Sequence, residues 1–406
     1  MIQLSSIAFY VNDKISSSDI SLEEYVTTDC ILQNKRGREI ATNLPPQSCN
    51  LIHYKPGDIL IANIRPYLKK IWFADMEGGA SSDVLVFRAK EGHSPEFLYS
   101  ALLQDSFFDY VMQGTKGSKM PRGDKEQIMR YEMPTLSVSE ESIGKFILDT
   151  NRKIHLNEQI NQNLEALVKQ LYDYWFVQFD FPDVEGKPYK SSGGSMVWSE
   201  KLKRDIPEGW FASNICKIAD ILSGGTPSKA VPQYWENGDI PFFGPTDCNG
   251  NCFQIETADH ITQDGLEHCS SSLFEEGTII ITARGSIGKL VIVGTPMAMN
   301  QSCYALSSKA KEFEYLFFLT IQLIECLKAK GSGSVFKSII ASDIENSLLC
   351  IADNNTISKF CNIVRPLFQK IKENTLEISE LTKQRDELLP LLMNGQVSLN
   401  SDLSHD

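Results

Sequence analysis

Residues 153–171 read KIHLNEQINQNLEALVKQL, and 217 positions further along the chain residues 370–388 read KIKENTLEISELTKQRDEL. Both stretches begin with Lys-Ile, place an Asn at Asn157 and Asn374, and carry Leu at two further matched positions. Because 217 is a multiple of seven, the apolar positions of the two stretches keep the same heptad phase. The sequence therefore predicts an internal repeat in which each copy ends in a long helix.

Each predicted helix carries a narrow stripe of mainly apolar residues, separated by steps of three and four, which is typical of helices that pack side by side. We call this stripe the seam. It contains Ile147, Ile154, Asn157, Leu164, Leu171 and Trp175 in the first helix and Leu367, Ile371, Asn374, Leu381 and Leu388 in the second. The alternative is that each helix packs only on its own domain. Two helices in phase favour mutual antiparallel pairing as a coiled coil with pseudo-two-fold symmetry, and a seam Asn can fix its register.

The segments that precede the helices contain short apolar runs bounded by turn residues, such as Val84–Arg88 and Thr278–Ala283, which are typical of strands. The fold class predicted is therefore α+β, with two strand-rich modules that also contain short helices. Pro366 predicts a kink or a helix start inside the second long helix. The predicted organisation is a first module at 1–138, a long helix at 139–180, a Gly-, Ser- and Pro-rich linker at 181–205, a second module at 206–352, a second long helix at 353–395 and a tail at 396–406.

The composition limits the class of protein. Of 406 residues, 39 are Lys or Arg and 52 are Asp or Glu, so the formal net charge is −13. This balance argues against a uniformly basic nucleic-acid binder but allows local basic surfaces. The first residues do not form a basic segment followed by an apolar one, and no apolar run reaches the length of a membrane helix. With ten scattered Cys, the sequence predicts a cytoplasmic protein with reduced thiols and no membrane partner.

Several stretches resemble catalytic or metal-binding motifs but lack the residues that the chemistry needs. Residues 283–290 have Ala283 where a phosphate loop begins with Gly and Leu290 where a hydroxyl would bind Mg²⁺. Residues 182–187 place two acids in the linker rather than on adjacent strands, unlike nuclease carboxylates. Cys248 and Cys252 lack a second Cys pair at zinc-module spacing. The sequence therefore predicts a binding protein with no catalytic residue and no metal site.

Basic residues are concentrated in two Gly-containing loops, each shortly before one of the long helices. The first contains Lys116, Lys119 and Arg122, and the second contains Lys337. Glycines would let the backbone approach a phosphate closely, while Arg and Lys can pair with guanine and Gln with adenine. The alternative is a solvated surface with glycine turns. The further candidates for DNA contact are Arg65, Lys69, Gly225, Thr226, Lys229, Arg284 and Gln301.

Six stretches spread over both halves together resemble one known family, the specificity subunit of a type I restriction–modification system. The first module differs most from the second, because Asn63-Ile64-Arg65-Pro66-Tyr67 stands where the second has Ala283-Arg284-Gly285-Ser286. The matching stretches are Leu171–Phe176, Ile206–Trp210, Ser223–Pro227, Gly277–Lys289, Met299–Ser302 and Leu388–Gly395.

The resemblance implies that the two modules are target-recognition domains, each of which reads one half of a bipartite site in double-stranded DNA. It also implies that the paired helices set the spacer and dock methyltransferase subunits, expected to number two. Translocase–endonuclease subunits complete such systems. S-adenosylmethionine, ATP and Mg²⁺ are expected in those partners, with no cofactor in this chain. Two competing hypotheses are a stand-alone nuclease or methyltransferase, and a repeat-module scaffold that reads no DNA.

Overall fold

The computed structural model describes residues 1–115, 119–133, 139–330 and 338–399, with the side chain of residue 330 excepted. The chain divides into two compact units. Unit 1 contains residues 1–156 and the segment from residue 380 onward, and unit 2 contains residues 157–379. Each unit therefore includes one end of each long helix that the sequence predicts.

The strands of both units are short, and most are bounded by turns. In the described part of unit 1 they are β1 (Ile2–Gln3), β2 (Ala8–Tyr10), β3 (Lys14–Ser16), β4 (Tyr25–Val26), β5 (Asn50–Tyr54), β6 (Ile59–Ala62), β7 (Ile71–Phe73), β8 (Gly78–Ala80), β9 (Val84–Ala89) and β10 (Glu132–Met133). In unit 2 they are β11 (Met196–Ser199), β12 (Arg204–Pro207), β13 (Phe211–Ser213), β14 (Ala219–Ser223), β15 (Ile240–Phe243), β16 (Phe253–Gln254), β17 (Asp259–Ile261), β18 (Ile279–Thr282), β19 (Leu290–Val293), β20 (Ala298–Met299), β21 (Cys303–Ser308) and β22 (Leu349–Ile351).

Two of the helices are much longer than the others. The helices are α1 (Leu4–Ile7), α2 (Pro95–Leu103), α3 (Asp105–Gln113), α4 (Lys125–Ile128), α5 (Glu140–Tyr172), α6 (Gln263–Glu267), α7 (Phe313–Lys330), α8 (Ala341–Glu345) and α9 (Asn354–Met393). A π turn, Asp173–Val177, follows α5, and 3-10 turns lie at Ser17–Asp19, Pro66–Leu68, Ile215–Lys217 and Pro232–Tyr234. The long predicted helices correspond to α5 and α9.

Unit 1 is built on two four-stranded sheets, in the orders β2-β9-β6-β7 and β3-β5-β8-β4, together with the pair β1-β10. The central strand β6 is buried along its whole length, as its run of four apolar residues requires. Ser94 begins α2 because its hydroxyl accepts a hydrogen bond from the amide of Phe97. The core joins Phe87 of the sheet and Phe107 of α3 to Ile147 of α5 and Leu389 of α9.

Unit 2 is built on a five-stranded sheet in the order β14-β21-β18-β19-β16 and a three-stranded sheet in the order β17-β15-β20. Its central strand β18 is also buried throughout. The main core joins Ile281 of this strand to Tyr315 of α7, Trp175 of the π turn and Phe360 of α9. Both units therefore place a sheet against a short-helix layer and the long helices.

The two long helices run antiparallel within each unit. In unit 2, Asn157 of α5 contacts Glu377 of α9, whereas Asn161, one turn later in α5, contacts Asn374, which is earlier in α9. In unit 1, Asn151 of α5 accepts a hydrogen bond from Arg385 of α9 at 2.7 Å. Later residues of α5 thus contact earlier residues of α9, as antiparallel pairing requires.

Two local predictions differ from the structure. The segment 181–205, predicted to be a linker, contains β11 and the first half of β12, which pair as an antiparallel hairpin. The Phe181 ring stacks between Tyr189 and Trp210 at centroid distances of 4.6 and 5.1 Å. Turn residues hide this aromatic stack in the sequence. In addition, α9 does not begin at Pro366 but continues through it. Pro366 is exposed, so the carbonyl that loses its helical partner can be solvated.

Candidate nucleic-acid interface

Two segments of unit 1 that are far apart in sequence meet where the sequence predicts DNA contacts. The amide of Arg65 donates to the carbonyl of Pro121 at 2.8 Å, and Ile64 forms an isolated β-bridge with Arg122. Lys119, two residues from Pro121, is exposed, as is Arg65. The structure therefore brings Arg65, Lys119 and Arg122 into one surface, which we call the unit 1 surface.

The Arg65 loop has a rigid backbone. Arg65 and Lys69 have φ angles of 54° and 49°, and the 3-10 turn Pro66–Leu68 lies between them. The carbonyls of Leu68 and Lys69 accept hydrogen bonds from the amides of Asn34 and Lys35 at 2.9 and 3.0 Å. Left-handed backbone costs about 1 kcal/mol or more in a residue other than glycine. Such strain persists only where surrounding contacts hold it, so this loop is held in one conformation.

The cations of the unit 1 surface differ in how far carboxylates already neutralise them. Lys69 is ion-paired with Asp105 at 2.9 Å, and buried Lys35 approaches the same carboxylate at 2.8 Å. Burial opposes ionisation of Asp105, but its hydrogen bonds to both lysines outweigh burial and lower the pKa of this carboxyl. Arg122 pairs with Asp83 at 3.2 Å but remains more than half exposed. Arg65 and Lys119 are therefore better placed to bind a phosphate than Lys69 is.

Three segments of unit 2 also meet at one place, which we call the unit 2 surface. The amide of Gly225 donates to the carbonyl of Met299 at 3.0 Å, and the amide of Arg284 donates to the carbonyl of Ser302 at 3.2 Å. The hydroxyl of Thr226 donates to Oε1 of Gln301. This bond orients the amide of an exposed Gln301 and leaves its two N–H groups as donors. Thr226, Arg284 and Gln301 are thus brought together from positions up to 75 residues apart.

Gly225 has a packing role, and its contact with DNA stays a prediction. It is buried, and a Cβ at this position would lie 2.1 Å from Oγ of Ser270. A Cβ on Gly224 would lie 2.2 Å from the carbonyl oxygen of Asn300. Both glycines are therefore required for the close approach of the Gly-Gly-Thr segment to the Asn-Gln-Ser segment.

The remaining candidates lie in different environments. Lys229 is exposed and holds its ammonium 5.4 Å from the ring centroid of Trp235, a cation–π contact that the sequence spacing does not predict. Lys116 and Lys337 lie outside the described residues. Among the described residues that follow them, Ile339 donates its amide to the carbonyl of Ala283 at 3.0 Å.

Sequence reasoning missed two residues of the unit 1 surface region. Lys35 is buried and left-handed, with a φ angle of 63°, and it anchors both Lys69 and Asp105. Met120 is 52% exposed between Lys119 and Pro121. A lone Lys and a lone Met carry no distinctive sequence signal, and only the three-dimensional placement identifies them.

Comparison with known proteins shows which family the chain resembles. Residues 207–359 match the Type I restriction modification DNA specificity domain family. The chain is 26% identical over 394 residues to the type I restriction enzyme MjaIX specificity subunit of Methanocaldococcus jannaschii, which covers 94% of this chain and 86% of the relative. It is 24% identical over 438 residues to the HindI specificity subunit of Haemophilus influenzae, covering 92% and 94%. The chain is thus similar over most of its length to type I specificity subunits.

The fold of the chain is shared with a solved structure. The S subunit of a type I restriction–modification system from M. genitalium superposes with a TM-score of 0.59 at 16% identity, covering 96% of this chain and 94% of that chain. The mixed helix-and-strand fold with a long C-terminal helix is thereby confirmed. Specificity subunits are the non-catalytic components of such systems, as the names of the relatives indicate and as the absence of catalytic motifs predicted.

The seam between the long helices is packed as the heptad pattern predicts. All eleven seam residues named from the sequence are buried or half-buried. In unit 2, Nδ2 of Asn374 donates to Oδ1 of Asn161 at 2.9 Å, and Nδ2 of Asn157 donates to Oε2 of Glu377 at 2.7 Å. The buried amides are therefore satisfied across the two helices, and a shift of one turn would break both bonds.

One acid of α5 is poorly solvated. Glu165 lies one residue beyond the seam position Leu164, and burial raises the pKa of its carboxyl to about 6, although the amide of Cys252 donates a hydrogen bond that acts in the opposite direction. The carboxyl of Glu165 therefore keeps its proton to a higher pH than an ordinary Glu does and is half ionised near pH 6. Its ionisation links the packing of α5 in unit 2 to pH.

The cysteines of the chain are packing residues where they are buried. All ten are free thiols. Cys248 and Cys252, examined above as metal ligands, pack in two different apolar clusters of unit 2. Over the described ranges of the chain, no group of three or more His, Cys, Asp or Glu side chains is placed to hold a metal ion. None of the helices in those ranges is both long and apolar enough to cross a lipid bilayer.

Proposed function

We propose that this specificity subunit reads a bipartite site in double-stranded DNA, with the unit 1 surface contacting one half-site and the unit 2 surface the other. The observation that carries the proposal is convergence. In each unit, polar and basic groups from distant parts of the chain meet on one exposed surface, at Arg65, Lys119 and Arg122 in unit 1 and at Thr226, Arg284 and Gln301 in unit 2.

The chemistry of the two surfaces suits base readout together with phosphate contact. Arginine can bind the O6 and N7 atoms of guanine through two hydrogen bonds, and glutamine can bind adenine in the same way. Lysines and backbone amides contact phosphates and set position rather than sequence. Since the net charge is −13, we expect the subunit alone to bind DNA weakly and its partners to supply much of the phosphate affinity.

The long helices are proposed to set the unread spacer between the half-sites. At 1.5 Å per residue, a helix of 33 residues such as α5 is about 50 Å long, compared with about 35 Å for one turn of DNA. The uninterrupted course of α9 through Pro366 supports a rigid role for the pair. Insertion of one heptad at an equivalent position in both helices should lengthen the preferred spacer, whereas an unchanged spacer would refute this role.

The helices are also proposed to dock the methyltransferase subunits. Leu167 of α5 and Tyr174 of the following π turn are 52% and 37% exposed, and together with half-buried Leu171 they form an apolar patch in unit 2. Large exposed apolar side chains in a row commonly mark a protein contact. Leu167→Glu should weaken co-purification of a methyltransferase subunit, whereas Leu22→Glu, an exposed leucine in unit 1, should not.

The test of the proposed function is sequencing of modified bases in cells that carry the subunit and its methyltransferase partners. The expected result is a methylated adenine in a motif with two defined halves and an undefined spacer, lost when the subunit is deleted. A genome without such a motif, although the assembled complex is present, would refute the proposal. It would also favour the alternative of a scaffold that reads no DNA.

A further inference from the structure

The unit 1 surface carries an exposed aromatic ring at a rigid tip. Tyr67 is 50% exposed in the middle of the 3-10 turn Pro66–Leu68. The residue before it, Pro66, is buried and has a fixed φ angle, and the carbonyl of the residue after it accepts the amide of Asn34 at 2.9 Å. The backbone on both sides of Tyr67 is therefore fixed while its ring is half in solvent.

The turn that carries Tyr67 is held between two backbone positions that cost conformational free energy. The left-handed residues Arg65 and Lys69 bracket the turn, so two strained positions occur within five residues. Backbone hydrogen bonds to Asn34, Lys35 and Pro121 maintain these two strained residues and so fix the position of the turn. Over the described ranges of unit 1, no other aromatic ring contacts that of Tyr67.

The surroundings of the ring are cationic. Arg65 is exposed two residues away. The hydrogen bond from its backbone amide to the carbonyl of Pro121 brings Lys119 and Arg122 onto the same surface. A second exposed apolar side chain, Met120, lies next to Pro121 and is 52% exposed. Proteins that contact stacked bases commonly combine an apolar or aromatic side chain with nearby cationic side chains that bind the flanking phosphates.

The corresponding position in unit 2 has no exposed aromatic side chain in a fixed turn. The matched segment there is Ala283-Arg284-Gly285-Ser286, in which Gly285 has a φ angle of 77° and no side chain. The arginine is retained, but neither the proline nor the aromatic residue is present. The tip of unit 1 therefore has a property that is not common to both reading surfaces.

We propose that the Tyr67 ring stacks against a base of the half-site read by unit 1, entering a base step that is partly opened. This inference rests on the proposed function, because it assumes that the unit 1 surface binds DNA. Unit 1 then selects its half-site in part by the ease with which that step unstacks, in addition to hydrogen bonds from Arg65. Unit 2 reads its half-site without such a stacking residue.

The test uses the full chain assembled with its methyltransferase subunits and a duplex that contains the methylated motif. Tyr67→Phe keeps the ring and should change affinity less than twofold. Tyr67→Ser removes the ring and should weaken binding by about 5- to 100-fold, the range measured for base–aromatic stacking. Tyr67→Leu keeps an apolar side chain without a π face and should behave like Tyr67→Ser. Trp198→Ser removes an aromatic ring of similar exposure (56%) from unit 2 and serves as the control.

A fluorescent base reports the stacking directly. The fluorescence of 2-aminopurine, placed in turn at the adenines of each half-site other than the methylated ones, should increase on binding at one position of one half-site only. The methylated adenines are left out because a methyltransferase itself flips its target base. Tyr67→Ser should abolish the signal. Equal affinity and equal fluorescence for wild type and Tyr67→Ser would overturn the stacking role while the bipartite motif, and hence the proposed function, still stands. Retention of affinity by Tyr67→Leu would likewise overturn stacking. Absence of specific binding by the wild-type complex would instead refute the proposed function.

Discussion

The two units solve the same problem with different chemistry. Unit 1 holds its reading loop through strained, non-glycine backbone at Arg65 and Lys69 and through ion pairs such as Lys69–Asp105. Unit 2 relies on the close backbone approach of Gly224 and Gly225 and on the Thr226–Gln301 hydrogen bond. Charge and rigid shape therefore dominate one surface, and neutral hydrogen-bonding groups dominate the other. On the proposed function, the reading of two different half-sites needs this kind of divergence on a shared frame.

The largest expected difference between the two units is in the free energy of unfolding that is lost when a buried acid of each unit is replaced. Asp58 of unit 1 accepts two hydrogen bonds from Arg88, both at 2.7 Å, whereas Glu314 of unit 2 meets Arg365 through Oε1 at 2.7 Å, and its buried Oε2 has no partner in the described ranges. Asp58→Asn should lower the free energy of unfolding by about 3 kcal/mol, because it removes the carboxylate that Arg88 pairs with most closely and leaves the more distant Asp13, at 3.7 Å, to balance this partly buried arginine. Glu314→Gln should cost about 1 kcal/mol or less, since a Gln can still accept from Arg365.

Chemical denaturation of the purified full chain, followed by circular dichroism, checks this contrast. Glu141→Gln, a change at an exposed acid of α5, is the control for loss of charge. An equal loss of stability for Asp58→Asn and Glu314→Gln would contradict the account, because it would mean that the second hydrogen bond of the Asp58 pair adds nothing.

The next contrast concerns glycines at the two surfaces. A Cβ on Gly224 would lie 2.2 Å from the backbone oxygen of Asn300, whereas a Cβ on Gly123 of unit 1 would meet side-chain atoms of Asn63 and Val111 at 2.8 and 2.9 Å. Side chains can move aside more easily than backbone can. Gly224→Ala should therefore weaken DNA binding by the assembled complex at least about tenfold, an overpacking cost of about 1–3 kcal/mol. Gly123→Ala should change it less than threefold.

Fluorescence anisotropy with the motif-containing duplex measures both variants. The Gly224→Ala complex should lose selectivity for one half-site and retain it for the other. If Gly123→Ala proves at least as damaging as Gly224→Ala, the close backbone packing assigned to the Gly-Gly-Thr segment is wrong.

The smallest expected effect is the pH dependence of unit 2. Burial raises the pKa of Glu165 to about 6, from 4.5 for an ordinary Glu. The folded state therefore binds the proton more tightly than the unfolded state does. This contribution to stability is present in full below about pH 4.5 and is lost as the pH rises through 6. At pH 7, Glu165→Gln should raise the free energy of unfolding by about 1–2 kcal/mol.

The measurement is the difference in unfolding free energy between wild type and Glu165→Gln at pH 4.5 and pH 7. The gain should be small at pH 4.5 and should grow toward pH 7, and Glu141→Gln should show no such trend. A gain that is independent of pH would mean that packing rather than ionisation explains the variant.

The parts of the fold with a regular period could be predicted from the sequence. The heptad stripe gave the positions of α5 and α9, their mutual packing and the burial of Asn157 and Asn374, because helical periodicity is local information. Short apolar runs likewise predicted the strands observed at Val84–Ala89 and Ile279–Thr282. The effect of Pro366 was overestimated, since exposure of that side of α9 allows the broken hydrogen bond to be replaced by water.

The reading surfaces could be predicted only as separate fragments. The motif Arg284-Gly285-Ser286 and the Asn-Gln-Ser segment were recognised as candidates, but their contact depends on strand pairing between β18 and β21, which is long-range information. The ion pair that neutralises Lys69 and the packing role of Gly225 also come from partners distant in sequence. The aromatic stack at Phe181 was hidden because its segment has the composition of a turn.

The central claim is that each unit reads its own half of one DNA site. It is tested most directly by mapping methylated bases in cells that produce the complex with Arg65→Ala or with Arg284→Ala in place of the wild-type subunit. The account predicts that Arg65→Ala relaxes one half of the motif, that Arg284→Ala relaxes the other half, and that Arg152→Ala, at an exposed arginine of α5, leaves both unchanged. Relaxation of the same half by Arg65→Ala and Arg284→Ala, or no change in either half, would contradict it.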